Sequence, residues 1–357
     1  MIQVVENIIN EHYDLGIVVH LEQLQAGYCN LSFYLRARND SRELKYLVRG
    51  YNPAASEMEI KFEHALISHL KGNGFAMAAG IVPTKYGRTY IGEDRAAVRY
   101  WAVFEFLEGE DRYRWTDTHL STEEMASASK ALADLHRAGY DFDPPPGSYR
   151  IQPRIMDFLP TFRSVYDGHL QNPGDSDFGR CFVDHCNDIL TFVDQTRIPE
   201  YDLKNMPQVP IHCDFHPGNL KYEDLHVVGV FDFDWSKIDL RLFDLALAMV
   251  YFCTCRDGRM SGSLVPEKLK LFLASYNKNC PLTAGPGPLT NDEKAYLPVM
   301  LAAANLFVLH WTIVDFYSDN ETETNTYLDY FNHGIKLMRW IEDQKDFLLE
   351  LSSSAPG

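Results

Sequence analysis

The chain has 357 residues, of which 46% are hydrophobic and 23% are charged, a composition typical of a globular protein with two or three domain-sized units. Its formal net charge of −17 argues against nucleic acid or an anionic membrane surface as a partner, because both would repel it. Seven scattered cysteines and an N-terminus without the pattern of a signal peptide predict reduced thiols and a cytoplasmic location.

Strands dominate the prediction for the first part of the chain. An amphipathic helix is expected to come first, followed by a strand, a turn and a second strand over 24–35. Further strands are predicted over 45–51 and 97–107. A helix over 59–70 lies between them, and Glu63 adjoins its apolar stripe.

The remainder is predicted to be mainly helical. Ser121 or Thr122 can cap a helix whose apolar residues recur at helical spacing. The proline-rich residues 141–147 predict a stiff connector. Residues 296–314 are long and apolar enough to resemble a membrane-spanning helix. Their internal polar residues and the lack of flanking basic residues favour a buried helix instead. Residues 346–357 are expected to form a disordered tail.

The strongest functional signal is His-Cys-Asp-Phe-His-Pro-Gly-Asn over 212–219. An Asp, an Asn five residues on and an Asp thirteen further match the division of labour in kinases. Asp214 would lie beside the acceptor hydroxyl, with Asn219 and Asp232 as oxygen ligands that favour Mg²⁺ over zinc. His212 is predicted to support catalysis by pinning this loop, and not to bind the metal.

The residues between the two predicted metal ligands indicate a hairpin of two short strands. A hairpin brings its ends together, so Asn219 and Asp232 can hold one cation. Pro217 and Gly218 fit a tight loop, in which Gly218 is expected to supply any positive φ.

Two more carboxylates follow closely. Asp234 is interpreted as a second metal contact, a substrate contact or a solvated carboxylate. Asp244 is interpreted as a structural residue that caps the next helix. The short interval between Asp232 and Asp244 cannot hold the activation segment of a protein kinase, so a small acceptor is expected in place of a peptide.

At these positions the sequence resembles the aminoglycoside phosphotransferase and choline kinase superfamily, most closely its type II homoserine kinase group. The resemblance covers about residues 20–345 and is sharpest over 208–250. The matching residues are His212, Asp214, Asn219, Asp232, Asp239 and Asp244.

The resemblance implies an α+β, bilobal protein-kinase-like fold. A nucleotide-binding lobe over 1–105 would contain a small antiparallel β-sheet and a helix. A mainly helical lobe over 106–345 would carry catalysis and substrate binding. ATP and Mg²⁺ are the implied cofactors, and the protein is expected to be a monomer or a homodimer.

The resemblance also implies where the nucleotide binds. The turn that contains Gly27 and Asn30 would cover the phosphates with backbone N–H groups. The backbone of Glu105 and Leu107 would bond the adenine edge.

Arg49 occupies the strand position where a kinase carries the lysine that holds the α- and β-phosphates. Its predicted partner is Glu63, with Glu59 as the alternative. Arginine retains the positive charge but replaces a point donor with a planar fork.

Trp311 and Asp315 share a helix face and are candidates for contacts to an amino-bearing acceptor. The favoured alternative is that Trp311 packs in the core and Asp315 is exposed. The predicted activity is therefore ATP- and Mg²⁺-dependent phosphorylation of a small alcohol, with homoserine or another amino alcohol favoured. The alternatives are an aminoglycoside, choline or methylthioribose kinase, or a nucleotide-binding regulatory protein. The sequence leaves the acceptor and the choice between ATP and GTP open.

Overall fold

The computed structural model describes residues 1–24, 30–39, 42–95, 97–258, 261–283, 285–318 and 324–354. The chain divides into two compact units. The first comprises Met1–Glu110, Phe142–Ile151 and Val228–Asp234, and the second comprises Asp111–Asp141, Gln152–Val227 and Trp235–Gly357. The first unit therefore extends past the predicted boundary at residue 105 and includes two later segments, one of them from the predicted connector.

The first unit is built on an antiparallel sheet. Its strands are β1 Ile17–Leu24, β2 Leu31–Asn39, β3 Arg42–Gly50, β4 Ile81–Val82, β5 Ile91–Arg95 and β6 Ala97–Glu105. The six-stranded sheet has the order β1-β2-β3-β6-β4, and β5 also pairs with β6. The strands predicted from the sequence are present, whereas the turn with Gly27 lies outside the described residues.

Two helices accompany this sheet. In α1, Ile2–His12, the residues Val5, Ile8 and Ile9 are buried and belong to one core cluster with sheet residues. In α2, Glu57–Gly72, the Ser56 hydroxyl and the Glu59 carboxylate form a capping box, which fixes where the helix begins. The predicted helices are thus confirmed.

The second unit is mainly helical. Its helices are α3 Thr122–Ala138, α4 Ile155–Phe158, α5 Phe162–Gln171, α6 Asp177–Gln195, α7 Glu200–Asn205, α8 Arg241–Cys253, α9 Pro266–Lys278, α10 Asn291–Ser318, α11 Thr324–Asp343 and α12 Lys345–Ser354. The later strands are β7 Gln208–Ile211, β8 Leu220–Glu223, β9 His226–Val230, β10 Lys237–Leu240, β11 Thr254–Cys255 and β12 Ser263–Leu264. They pair as β7 with β10, β8 with β9, and β11 with β12, so the predicted hairpin is present and the α+β class is confirmed.

Buried helices form the centre of the second unit. Every residue of α8 is buried. Within the described part of the chain, α10 is the one helix that is long and apolar enough to span a membrane, and 78% of its most apolar window is buried. The prediction of a buried helix here is confirmed.

The C-terminal prediction is wrong for most of its length. Residues Lys345–Ser354 form α12, in which Leu348, Leu351 and Ser352 are buried. Apolar side chains at helical spacing are buried within the second unit. This burial stabilises a helix in a segment whose polar last residues suggested disorder. The last three residues lie outside the described part.

Candidate functional site

The predicted catalytic carboxylate is held in a defined position. Asp214 lies in the loop between β7 and β8, where the Nδ2 of Asn219 donates to its Oδ2 and to its backbone oxygen, each at 2.9 Å. The Asp214 side chain remains 28% exposed, whereas Asn219 is buried. The carboxylate is therefore fixed on one side and open on the other.

His216 also contacts this carboxylate, although the sequence analysis did not single it out. Its Nδ1 accepts a hydrogen bond from the N–H of Gly218 at 3.1 Å, which assigns the proton of a neutral ring to Nε2. That Nε2 lies 3.5 Å from Oδ2 of Asp214. The only sequence signal was a second histidine within the motif.

The loop between β7 and β8 is held by hydrogen bonds to Asp244 of α8. Its carboxylate accepts hydrogen bonds from the backbone N–H groups of His212 and Cys213, both at 2.8 Å, and lies 3.0 Å from Nε2 of His136. The Nδ1 of His136 is 2.6 Å from the Tyr276 hydroxyl. His212 and Cys213 lie 32 and 31 residues from Asp244, and His136 lies 108 residues from it, so no local pattern indicated the network.

The environment keeps Asp244 ionised. Burial by itself raises the pKa of this carboxyl, but hydrogen bonds from His136 and from the loop N–H groups outweigh burial and lower the pKa below its usual value. The expectation that Asp244 caps its own helix is wrong. The α8 helix begins at Arg241 without a side-chain cap, and the carboxylate instead binds the loop that carries Asp214.

His212 is fully buried, and it contributes its backbone N–H to this anchor. The pinning of the loop predicted for His212 is therefore achieved largely through the Asp244 carboxylate.

Positive φ angles in this region lie at Cys213 and Asp232 and not at Gly218, where one was predicted. Cys213 has φ 64° and Asp232 has φ 66°, a left-handed conformation that is uncommon outside glycine. Gly218 is not among the glycines with positive φ. Its role is steric, because a Cβ there would lie 3.0 Å from the backbone nitrogen of Trp115.

In the first unit, Arg49 joins two carboxylates. Its Nη1 lies 3.0 Å from Oε1 of Glu63, and its Nη2 lies 3.2 Å from Oδ1 of Asp232. The Tyr51 hydroxyl donates to the other oxygen of Glu63 at 2.8 Å. The predicted partner of Arg49 is thus present, whereas the alternative Glu59 pairs with Arg150.

Burial and the neighbouring charges shift the pKa values of Arg49 and Glu63 in opposite directions. Burial lowers the pKa of Arg49, but Asp232 and Glu63 outweigh it and the pKa is raised. For Glu63, burial raises the pKa more than the Arg49 charge lowers it. Arg49 therefore remains a cation at any physiological pH.

Asp234 is not a freely solvated carboxylate. The Nδ2 of Asn30 donates to its Oδ2 at 2.9 Å, and its Oδ1 is buried without a hydrogen-bond partner among the described residues. Burial, followed by the charge of Asp232, raises the pKa of Asp234 to about 6. Asn30 is itself fixed, because its Oδ1 accepts from the N–H of Asn52 at 2.9 Å.

The oxygen donors fit a hard divalent cation. Asn219 donates through its Nδ2, which leaves its amide oxygen for a metal, and Asp232 and Asp234 are two carboxylates in one short segment. The orphaned Oδ1 of Asp234 is the kind of atom that a cation would satisfy. Asn219 belongs to the second unit and Asp232 to the first, so their convergence on one ion stays a prediction.

The predicted adenine contacts also stay predictions. The N–H of Glu105 donates to the carbonyl of Gly80 at 2.7 Å, and its side chain pairs with Lys71 at 2.5 Å. A bond from Glu105 to an adenine edge must therefore come from its carbonyl oxygen. Leu107 follows the end of β6 and is partly buried.

The two candidate substrate residues lie together on α10 but in different surroundings. Trp311 packs against aromatic rings, among them Trp235 with ring centroids 5.0 Å apart and Phe158 at 6.2 Å. Asp315 is exposed. These surroundings fit the alternative of core packing by Trp311 beside an exposed Asp315, and contact of the pair with an acceptor stays a prediction.

Comparison with known proteins gives a consistent result. A model of the phosphotransferase enzyme family, APH, matches residues 20–265. A homoserine kinase from Ralstonia nicotianae is 24% identical over 284 residues, which cover 76% of this chain and 76% of that protein.

Solved structures share the fold. The microcompartment-associated aminopropanol kinase has a TM-score of 0.63 at 15% identity, with 98% of this chain and 99% of that one covered. The amicoumacin kinase in complex with AMP-PNP, Ca²⁺ and Ami has a TM-score of 0.64 at 15% identity, with 99% and 94% covered. The resemblance inferred from the motif is confirmed.

Proposed function

Because the chain belongs to the phosphotransferase enzyme family, whose model matches residues 20–265, we propose that it transfers the γ-phosphate of ATP to a hydroxyl of a small metabolite. Homoserine or another amino alcohol is the favoured acceptor. The names of the homoserine kinase and aminopropanol kinase relatives support this choice. The AMP-PNP and Ca²⁺ in the amicoumacin kinase complex support a nucleotide with a divalent cation.

The observation that carries this proposal is the held but open carboxylate of Asp214. Asn219 fixes one oxygen at 2.9 Å, and the Asp244 anchor fixes the preceding backbone. A carboxylate in this state can orient an acceptor hydroxyl and accept its proton. Phosphoryl transfer requires little more from the protein than positioning and charge compensation.

Arg49 supplies the charge expected of a nucleotide-binding strand. Its guanidinium is held between Glu63 and Asp232, so its position is set before any ligand arrives. A positive group on this strand, paired to a helix carboxylate, is how kinases hold the α- and β-phosphates. We assign Arg49 that role in place of the usual lysine.

Asn219 and Asp232 are proposed as the Mg²⁺ ligands, and Asp234 as a further oxygen near the ion. A Mg²⁺ bound there would neutralise negative charge that spreads over the transferred phosphoryl oxygens. The Arg49 contact to Oδ1 of Asp232 holds that carboxylate in one orientation.

The proposal is tested by ADP release from Mg·ATP with the purified full-length protein. The acceptor panel contains homoserine, 3-aminopropan-1-ol, choline, an aminoglycoside and a sugar, and ³¹P NMR identifies the phosphomonoester. We expect one class of small alcohol to stimulate turnover strongly. Nucleotide binding without stimulation by any acceptor would instead favour a regulatory protein.

The catalytic assignment is tested with Asp214→Asn, which keeps the size of the side chain. Its kcat should fall by about 10²–10⁴-fold, while ATP binding measured by calorimetry stays nearly unchanged. Asp188→Asn, at an exposed ion pair with Arg339, is the matched control and should behave like wild type. Full turnover by Asp214→Asn would remove the assigned base.

A further inference from the structure

A pocket within the second unit contains Arg256, which pairs with no carboxylate among the described residues. Arg256 follows β11, and its guanidinium carbon lies 4.9 Å from the ring centroid of Trp115 and 5.8 Å from that of Tyr330. Its Nε is buried and makes no hydrogen bond within the described residues. None of the residues described as lining this pocket is acidic.

Two residues that flank Arg256 in the sequence, Thr254 and Ser261, both contact His333 of α11. The Thr254 hydroxyl lies 3.0 Å from Nε2 of His333, and the Ser261 hydroxyl lies 3.2 Å from its Nδ1. These contacts join the β11–β12 hairpin to α11. Burial, followed by the charge of Arg256, lowers the pKa of His333 to about 3, so His333 is neutral and the positive charge belongs to Arg256.

The pocket adjoins the loop that carries the catalytic carboxylate. Tyr251, which lines the pocket, has its ring centroid 5.4 Å from that of His216, and His216 contacts Asp214 at 3.5 Å. The backbone of Trp115, another lining residue, approaches Gly218 closely. Burial raises the pKa of Tyr251, the charge of Asp214 raises it further, and Arg256 lowers it, so Tyr251 lies within reach of both charges.

The Arg256 guanidinium, which pairs with no carboxylate in the part of the chain that the structure describes, is available to an anion. Burial lowers the pKa of Arg256, which indicates that its charge is not offset by a carboxylate. The protein carries a net charge of −17, yet the lining described for this pocket includes an arginine and no acidic residue. The planar fork of arginine matches the two oxygens of a carboxylate.

From this geometry we infer that Arg256 binds a carboxylate on the acceptor, which would make the acceptor a hydroxy acid such as a hydroxy amino acid. The inference rests on the proposed phosphotransfer to a small alcohol. Arg256 would thus separate hydroxy acids from plain amino alcohols.

The test compares acceptors that differ only by the carboxylate. Homoserine is paired with 3-aminopropan-1-ol, and serine with ethanolamine, and each is assayed with wild type, Arg256→Met and Arg256→Lys. Methionine keeps an unbranched apolar stem without the charge, and lysine keeps the charge without the fork. Arg339→Met, at an exposed arginine of α11, is the control.

Wild type should favour the carboxylated member of at least one pair. Arg256→Met should lower kcat/KM for that acceptor by about 30-fold or more, mainly through KM. It should leave the value for the decarboxylated partner and the KM for ATP unchanged. Arg256→Lys should fall between wild type and Arg256→Met, and it replaces the methionine variant if that variant does not fold.

Equal losses for both members of a pair would show that Arg256 only packs against the aromatic rings, and would overturn the inference. So would a higher KM for ATP with unchanged acceptor KM, because that result assigns a nucleotide phosphate to Arg256.

A binding measurement separates failure of this inference from failure of the proposed function. L-2-aminobutyrate keeps the carboxylate of homoserine and lacks its hydroxyl, and propylamine lacks both. Calorimetry should show that wild type binds L-2-aminobutyrate, that Arg256→Met does not, and that propylamine binds neither. If this binding pattern is seen but no kinase activity is found, the carboxylate site at Arg256 stands and the proposed phosphotransfer is refuted. If kinase activity is found but L-2-aminobutyrate binds equally well to Arg256→Met, the proposed phosphotransfer stands and the carboxylate site is refuted.

Discussion

Replacing Asp244 with asparagine tests whether the conformation of the loop that carries Asp214 depends on a buried anion. The wild-type carboxylate accepts from two backbone N–H groups, of His212 and Cys213, at 2.8 Å and lies 3.0 Å from Nε2 of His136. The amide has the same shape but only one acceptor oxygen. The substitution therefore removes the charge and one acceptor without creating a cavity.

The expected cost follows from the geometry. Oδ2 serves both His212 and His136, and Oδ1 serves Cys213, so the amide NH₂ should take the Oδ1 position. A buried N–H of Cys213 left without an acceptor costs about 1–3 kcal/mol, and the change from charged to neutral costs about 1 kcal/mol for each of the two remaining bonds. The total is a loss of about 3–5 kcal/mol in the free energy of unfolding.

Urea unfolding followed by tryptophan fluorescence measures this loss, and the kinase assay measures its effect on the loop. We expect reduced stability together with reduced kcat, since the backbone before Asp214 is no longer held. Asp188→Asn, on an exposed helix face, should change the free energy of unfolding by less than about 0.5 kcal/mol. A value within that range for Asp244→Asn would refute the argument.

Three further outcomes are expected. Asp232→Ala should raise the KM for Mg·ATP and the Mg²⁺ concentration needed for half-maximal activity, as seen by titrating the metal; unchanged metal dependence would remove Asp232 from the ligand set. Gly218→Ala should destabilise the fold by about 1–2 kcal/mol through overpacking against the backbone of Trp115, and a urea midpoint equal to that of wild type would contradict this reading. The pKa of Asp244 is lowered in the folded state, so its carboxylate stabilises the fold fully at a pH above the ordinary aspartate pKa of 3.8, and this stabilisation is lost as the pH falls below that value. The free energy of unfolding, measured from pH 6 to pH 2, should therefore fall more steeply for wild type than for Asp244→Asn.

Features governed by near neighbours were predictable. The hydrogen bonds between Asn219 and Asp214 span five residues, and the capping box of Ser56 and Glu59 spans three. Arg49 and Glu63 are 14 residues apart, and the kinase pattern of a strand cation paired to a carboxylate on the next helix predicted that they meet. In each case the chain between the two partners is short enough that the local conformation decides whether they meet.

Predictions failed where packing overruled local preference. Gly218 was expected to take a positive φ, yet Cys213 takes it, because the anchored loop imposes that turn just before Asp214. Asp244 was expected to cap its own helix. Instead α8 packs so that the Asp244 carboxylate faces the loop that carries Asp214 and accepts hydrogen bonds from the backbone N–H groups of His212 and Cys213.

The sequence by itself determined the family and the chemical groups for phosphoryl transfer, because their order and spacing are properties of one continuous segment. The tertiary structure alone decided what holds and surrounds those groups. His136 meets Asp244 across 108 residues, and Arg256 packs against Trp115 and Tyr330, with no carboxylate paired to it among the residues described. Such contacts depend on how helices distant in sequence pack together, and burial then decides the charge that each group carries and the ligand it can bind.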